Sequence, residues 1–201
     1  MRKTLQFFQA VVGLIFLALG ITLLIAAEGP DPWGVLVLAM HQHLPLSLGI
    51  TSQVAGLILI SINMFWGKRR PGLATVMSMV LVGVFMDMFG FLTALGHGLD
   101  LVWQVGLMLL GITAMAFGIS VYVRAGLGEG PVEGFMFVLS DKLGVNVGKA
   151  KIVQDLSFVI CGFLLGWVPQ VGTLVSAVAV GPVTQVFLRF LENKEGAKGA
   201  K

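Results

Sequence analysis

Charge is what this sequence has least of: Asp, Glu, Lys and Arg together make up 11% of its 201 residues, against 57% hydrophobic residues. A soluble domain of this length needs far more polar surface to meet water, so the scarcity excludes an ordinary water-soluble fold and makes lipid the main solvent. Cysteine is nearly absent too. The single Cys161 excludes an intrachain disulfide and, within an apolar run, reads as a small buried hydrophobe. The alternation of a barrel strand is missing, which leaves helices as the way to satisfy the backbone in lipid. No nucleophile–base pair appears, nor any Cys/His metal spacing, so neither an enzyme nor a metal or cofactor site is expected. Gly126–Gly130 is rich in glycine but lacks the Lys and following Ser/Thr of a nucleotide loop.

What is present is a series of long apolar stretches, with mean hydropathy +0.95 over the chain. They predict helices at about 4–27, 46–66, 72–94, 101–123, 152–168 and 171–191, most near the roughly 20 residues that cross a bilayer. The first could pass for a signal peptide, but it reaches Ala27 with no clear cleavage site after it, so a retained helix is expected. The isoelectric point near 9.2 does not indicate nucleic acid, because the bases lie in short clusters between apolar runs.

Those clusters predict the threading. With the N-terminus in the cytoplasm and six crossings, the segments 1–3, 67–71, 124–151 and 189–201 are cytoplasmic, and all 13 Lys and Arg fall in them. The outer segments then carry Glu28, Asp31, Asp100 and histidines, as the positive-inside rule requires. Both termini are expected inside. Two leftover segments, roughly 29–45 and 126–150, hold short apolar patches at Val35–Met40 and Phe135–Leu139. Each reads as a short helix, interfacial or re-entrant, with Pro32 and Pro131 suited to the first turn.

The chain also resembles itself. Shifted by 98 residues, Pro71–Phe89 lies over Pro169–Phe187 with seven of nineteen positions identical, among them Thr75/Thr173, Ser78/Ser176 and Gly83/Gly181. The same shift pairs Gly13 with Gly111 and Gly20 with Gly118. Each half, 1–97 and 98–201, then holds three crossings and a short insertion. Three is odd, so the second half enters the membrane reversed. The expected fold is an all-α polytopic membrane protein built as two inverted-topology repeats, with a site near their interface.

Two stretches carry a family resemblance. Arg124–Glu133 (RAGLGEGPVE) resembles the RAGLGxxPWD signature of the bacterial YitT/YczE-like membrane proteins, and Gly172–Pro182 is similar to their GTLxxAxxxGP stretch. Val132-Glu133 stands where that pattern has Trp-Asp, and Gln185 stands where family members often carry Asp. The resemblance covers nearly the whole chain and implies a bacterial inner-membrane protein of five to six spans, without a defined activity.

Ionisable residues inside a bilayer are functional suspects. Asp87 sits inside the third predicted span with no base nearby in sequence, and its repeat mate is Gln185. Glu133 occupies the family's acidic position beside Pro131, and Asp155 lies one turn into the fifth span near Lys149 and Lys151. Thr75 and Ser78, like Thr173 and Ser176, share a helix face at three-residue spacing, suited to helix packing or to a substrate. Gly162 and Gly166 read as a packing face. His41 and His43 point to different faces, which disfavours a shared metal, and His97 is a lone loop residue. The function expected is a small secondary transporter of a solute or ion. The alternative is an accessory or substrate-binding subunit, associated with itself or with a membrane partner.

Overall fold

The computed structural model describes residues 2–199 except His97, with side chains described over 3–191; His97 itself lies outside the described residues. The chain is all-helical: α1 (Arg2–Ala26), α2 (Pro32–His41), α3 (Leu48–Phe65), α4 (Leu73–Phe89), α5 (Leu101–Arg124), α6 (Pro131–Leu143), α7 (Val147–Leu164) and α8 (Val171–Gly199). A 3₁₀ turn, Gly90–Gly96, prolongs α4. Helix starts follow local chemistry. Asp31 accepts from Gly34 N at the head of α2, Ser47 from Ile50 N at α3 and Asn146 from Lys149 N at α7. Pro32 and Pro131 stand in the first turns of α2 and α6, where a missing N–H costs nothing. Gly144, at φ 63°, ends α6 in the left-handed conformation that glycine adopts without strain.

Five helices are long and apolar enough to cross a membrane: Lys3–Ala26, Leu48–Phe65, Leu73–Gly96, Leu101–Arg124 and Val171–Leu191. The fifth expected span, 152–168, is shifted. Its helix begins at Val147, so Lys149 and Lys151 lie within α7 rather than in the segment before it. With Asp155 they leave α7 more polar than the other five. Cys161 is exposed rather than buried, because α7 covers only the stripe Ala150, Gln154, Phe158 and Gly162. The two short insertions are both helical, and α2 runs inside the bundle, with Val35, Val37 and Ala39 fully covered.

The helices form two cores. One joins α1, α4, α5 and α8 around Leu14, Ile21, Leu24, Met86, Ile112 and Tyr122. The other joins α2, α3, α6 and α7 around Trp33, Val37, Ala55, Leu59 and Phe158. Where α1 crosses α5 the backbones touch: a Cβ at Gly13 would stand 2.5 Å from Tyr122 N, and one at Gly118 would collide with Leu17 N. Glycine lets two apolar helices approach this closely.

Corresponding pairs recur in the two halves. α1 packs on α4 and α5 on α8; α2 packs on α7 of the other half, and α6 on α3. α2 runs parallel to α7, as the successive pairs Trp33–Phe158, Val35–Gly162 and His43–Leu165 show. α6 runs parallel to α3, through Pro131–Asn63 and then Val138–Gly67. One pairing does not recur: α3 packs along α4, whereas α7 does not pack along α8.

Candidate functional site

Both short helices begin inside the bundle, and polar groups gather where they begin. At the first turn of α6, two buried carboxamides grip consecutive carbonyls: Asn63 Nδ2 donates to Pro131 O (2.9 Å) and Gln154 Nε2 to Val132 O (3.1 Å). Each amide thereby turns its own oxygen away, and both Asn63 Oδ1 and Gln154 Oε1 are buried without a hydrogen-bond partner. Orphaned buried acceptors of this kind are uncommon and costly.

Glu133, in the same turn, folds its carboxylate back over Gly130, where the backbone N–H groups of Gly130 and Glu133 stabilise its charge. Burial outweighs them and pushes the Glu133 pKa up; the Lys151 ammonium works against this, and Glu129 with it.

Asp31, at the head of α2, is 7% exposed. Burial raises its carboxyl to about 6; Lys151 pulls it down, Asp155 pushes it up, and the N–H groups of Gly34 and Trp33 pull it down. Lys151 and Asp155, one turn apart on α7, form an ion pair. Lys151 thus lies within electrostatic reach of an acid from each half, Asp31 and Glu133. Alongside, Trp33 meets Phe158 edge-on with ring centroids 5.3 Å apart, and Phe135 stacks on Phe158 at 6.0 Å.

Of the expected site residues, Glu133 and Asp155 both lie within electrostatic reach of Lys151, and Thr75 and Ser78 stand beside the start of α6; Asp87, Gln185, Thr173 and Ser176 lie elsewhere. Asp87 is exposed, not buried: it accepts from Ser47 Oγ (2.5 Å) and Gly49 N (2.7 Å), securing the first turn of α3 to α4. The free N–H groups at that helix start supply what a nearby base would otherwise give. Its mate Gln185 is exposed on α8. The four hydroxyl residues are buried, and Thr75 and Ser176 tie each half to the segment before the other's short helix. Thr75 Oγ1 donates to Glu129 O (2.7 Å), before α6, and Ser176 Oγ to Pro30 O (3.2 Å), before α2; Ser78 Oγ donates within α4 to Thr75 O (3.2 Å). Thr173 is buried beside Ser176, its hydroxyl oxygen without a partner.

Sequence reasoning missed Asp31, Asn63, Lys151 and Gln154. Asp31 reads as an outer-loop charge, and Lys151 as a cytoplasmic one. The signal available for Asp31 was its place before Pro32, matching Gly130 before Pro131.

A small open cleft reaches the start of α6, lined by Ile60, Asn63, Thr75, Glu129, Gly130 and Gly134 with Arg69, Arg70 and Pro71. Arg69 is held there by Glu129 (3.2 Å) and Asp141 (3.0 Å), and lies 5.3 Å from the centre of the Phe137 ring. One arginine therefore clamps the approach and the far end of α6 together.

Residues 4–189 match the model of a family of unknown function, DUF6198. The chain is 32% identical over 183 residues to the uncharacterized membrane protein YczE of Bacillus subtilis, covering 89% of this chain and 81% of that one. It is 27% identical over 192 residues to an uncharacterized protein of Haemophilus influenzae, covering 94% and 85%. With the uncharacterized protein YyaS of Bacillus subtilis it shares 20% identity over 188 residues, covering 90% and 91%. No solved structure matches. Five apolar helices of spanning length and the likeness to a membrane protein along nearly the whole chain make this a membrane protein, and it belongs to the DUF6198 family.

Proposed function

We propose that the protein is a small secondary transporter of the bacterial cytoplasmic membrane, with 1–97 and 98–201 as inverted-topology repeats and both termini cytoplasmic. In this reading α7 is the sixth crossing. It tolerates three charged residues because two are paired and face an acid from each half. The recurring order of long, short, long and long helices supports the repeat, as does the identity between Pro71–Phe89 and Pro169–Phe187. The bases outside α7 keep to one side under this threading.

One observation carries the reading. Asp31 and Glu133, at the heads of two short helices from different halves, both lie within the field of the Lys151–Asp155 pair. Half-helices whose starts converge between inverted repeats form the binding site of several transporter architectures, where rocking one half against the other exposes the site alternately. The hydroxyls of Thr75 and Ser176 hold each half to the segment before the other's short helix, so they serve as a hinge surface rather than as ligand contacts.

The test is flux in proteoliposomes holding the purified protein and an internal pH dye, challenged with a panel of organic cations, anions and zwitterions. At least one solute is expected to drive proton movement, and Glu133→Gln and Lys151→Met are expected to abolish it. Undiminished flux in both variants removes this site from the pathway. A second reading, a subunit working with a membrane partner, is favoured by α8. Only 17% of its spanning window is buried, the least of the five. Flux by the isolated protein decides against that reading.

A further inference from the structure

The interior around the start of α6 offers more acceptors than donors. Asn63 and Gln154 have spent their NH₂ groups on Pro131 and Val132, leaving Oδ1 and Oε1 unpaired and buried. Gln154 is fully buried. Lys151 pairs with Asp155 and lies within electrostatic reach of Asp31 and Glu133, so the three carboxyls, fully ionised, outnumber its ammonium by two. Glu129 stands on the other flank of α6, with its charge engaged by Arg69. Tyr122 and Ser78 approach Gly130 from α5 and α4. An uncompensated pair of negative charges in a low-dielectric interior is untenable unless protons or a cation offset it.

From this set, and resting on the transporter reading above, we infer that the α6 start is a binding site for a small organic cation bearing N–H donors, a primary or secondary ammonium, exchanged for protons. Anions are disfavoured by the excess of carboxyls, which leaves Lys151 and the unpartnered Tyr122 hydroxyl as the donors facing them. A quaternary cation would satisfy the charge but leave both amide oxygens unpaired. The rings of Trp33, Phe135 and Phe158 give an apolar, π-rich flank for the ligand's carbon skeleton. The cleft that Asn63 lines ends at Gly130 and Gly134, so it approaches the same turn from the arginine side, and Arg69 there is neutralised by Glu129 and Asp141.

The experiment is isothermal titration calorimetry of the full-length protein in detergent with n-butylammonium, tetrabutylammonium and butyrate between pH 5 and 8. Saturable binding of n-butylammonium alone is expected, about tenfold weaker at pH 5 than at pH 7, because protons must leave before the cation enters. Gln154→Leu is expected to weaken it by about tenfold, the effect of one buried hydrogen bond, and Glu133→Gln to flatten its pH dependence. No binding of n-butylammonium by the wild type, equal binding of tetrabutylammonium, or affinity that does not rise with pH would each overturn the inference. The wild-type titrations decide this even if Gln154→Leu fails to fold. Flux of an anion or a zwitterion in the liposome assay without n-butylammonium binding sinks this inference alone. Binding without any flux sinks the transporter reading alone.

Discussion

α3 and α7 hold equivalent places in the two halves, yet α3 lies along the helix that follows it and α7 does not. The difference traces to a few residues. Gly83 on α4 lets α3 come close enough that a Cβ there would stand 2.6 Å from Gly49 O, while a Cβ at its identical mate Gly181 on α8 would meet nothing within 4 Å. Asp87 then clasps Ser47 and Gly49 at the start of α3; the corresponding Gln185 makes no such contact with the start of α7. Freed from α8, α7 carries Lys151 and Asp155 toward Asp31 and Glu133. Residues identical in the two stretches Pro71–Phe89 and Pro169–Phe187 thus have different jobs. In the transporter reading the parted pair marks which side of the molecule is open.

The comparison breaks most readily at the glycines. Gly83→Val should cost about 3 kcal/mol or more by forcing α3 off α4, whereas Gly181→Val should stay within about 0.5 kcal/mol. Paired thermal unfolding in detergent checks this, and equal costs would mean that α7 and α8 are packed after all. Asp31→Asn sharpens the acid-facing side of α7. The folded-state carboxyl is raised to about 6 from 3.8, so ionising it opposes folding. Wild-type stability is therefore greatest at low pH and falls as pH rises through about 6. Asn keeps the cap on α2 without the charge, so the variant should lose that decline and gain about 3 kcal/mol at pH 8. A pH–melting profile parallel to the wild type would contradict the shift. Asp87→Ala should cost about 1–2 kcal/mol through loss of the bonds from Ser47 and Gly49, and Gln185→Ala almost nothing. Smallest of all, Arg69→Met should cost below about 1 kcal/mol, as its pairs are partly solvent-exposed, while increasing proteolytic cleavage near Glu129.

Much of this architecture was legible in the sequence because lipid imposes simple rules. Long apolar runs gave the five apolar helices, and the prolines at 32 and 131 marked the short helices that begin with them. The self-resemblance drew attention to Thr75, Ser78, Thr173 and Ser176, of which Thr75 and Ser176 bond to the segments before α6 and α2. The site was legible only in part. Glu133 and Asp155 stood out as acids in or near apolar segments. Asp31 and Lys151 did not, because linear charge counting places them in loops on opposite sides. Only the dipping of α2 into the bundle and the early start of α7 bring them together. Asn63 and Gln154 carry no charge, and their orphaned oxygens exist only once α6 has packed on α3 and α7. Asp87 misled for the opposite reason: an acid with no base nearby in sequence found helix-start N–H groups instead.

The claim beneath all of this is that α2 and α6 start together in the interior and end on opposite faces of the membrane. Single cysteines at the exposed positions Gln42 and Lys142, introduced with Cys161→Ser, can be probed with a membrane-impermeant maleimide in right-side-out and inverted vesicles. Gln42→Cys should react only in right-side-out vesicles and Lys142→Cys only in inverted ones. Labelling of both from the same side would contradict the opposed threading.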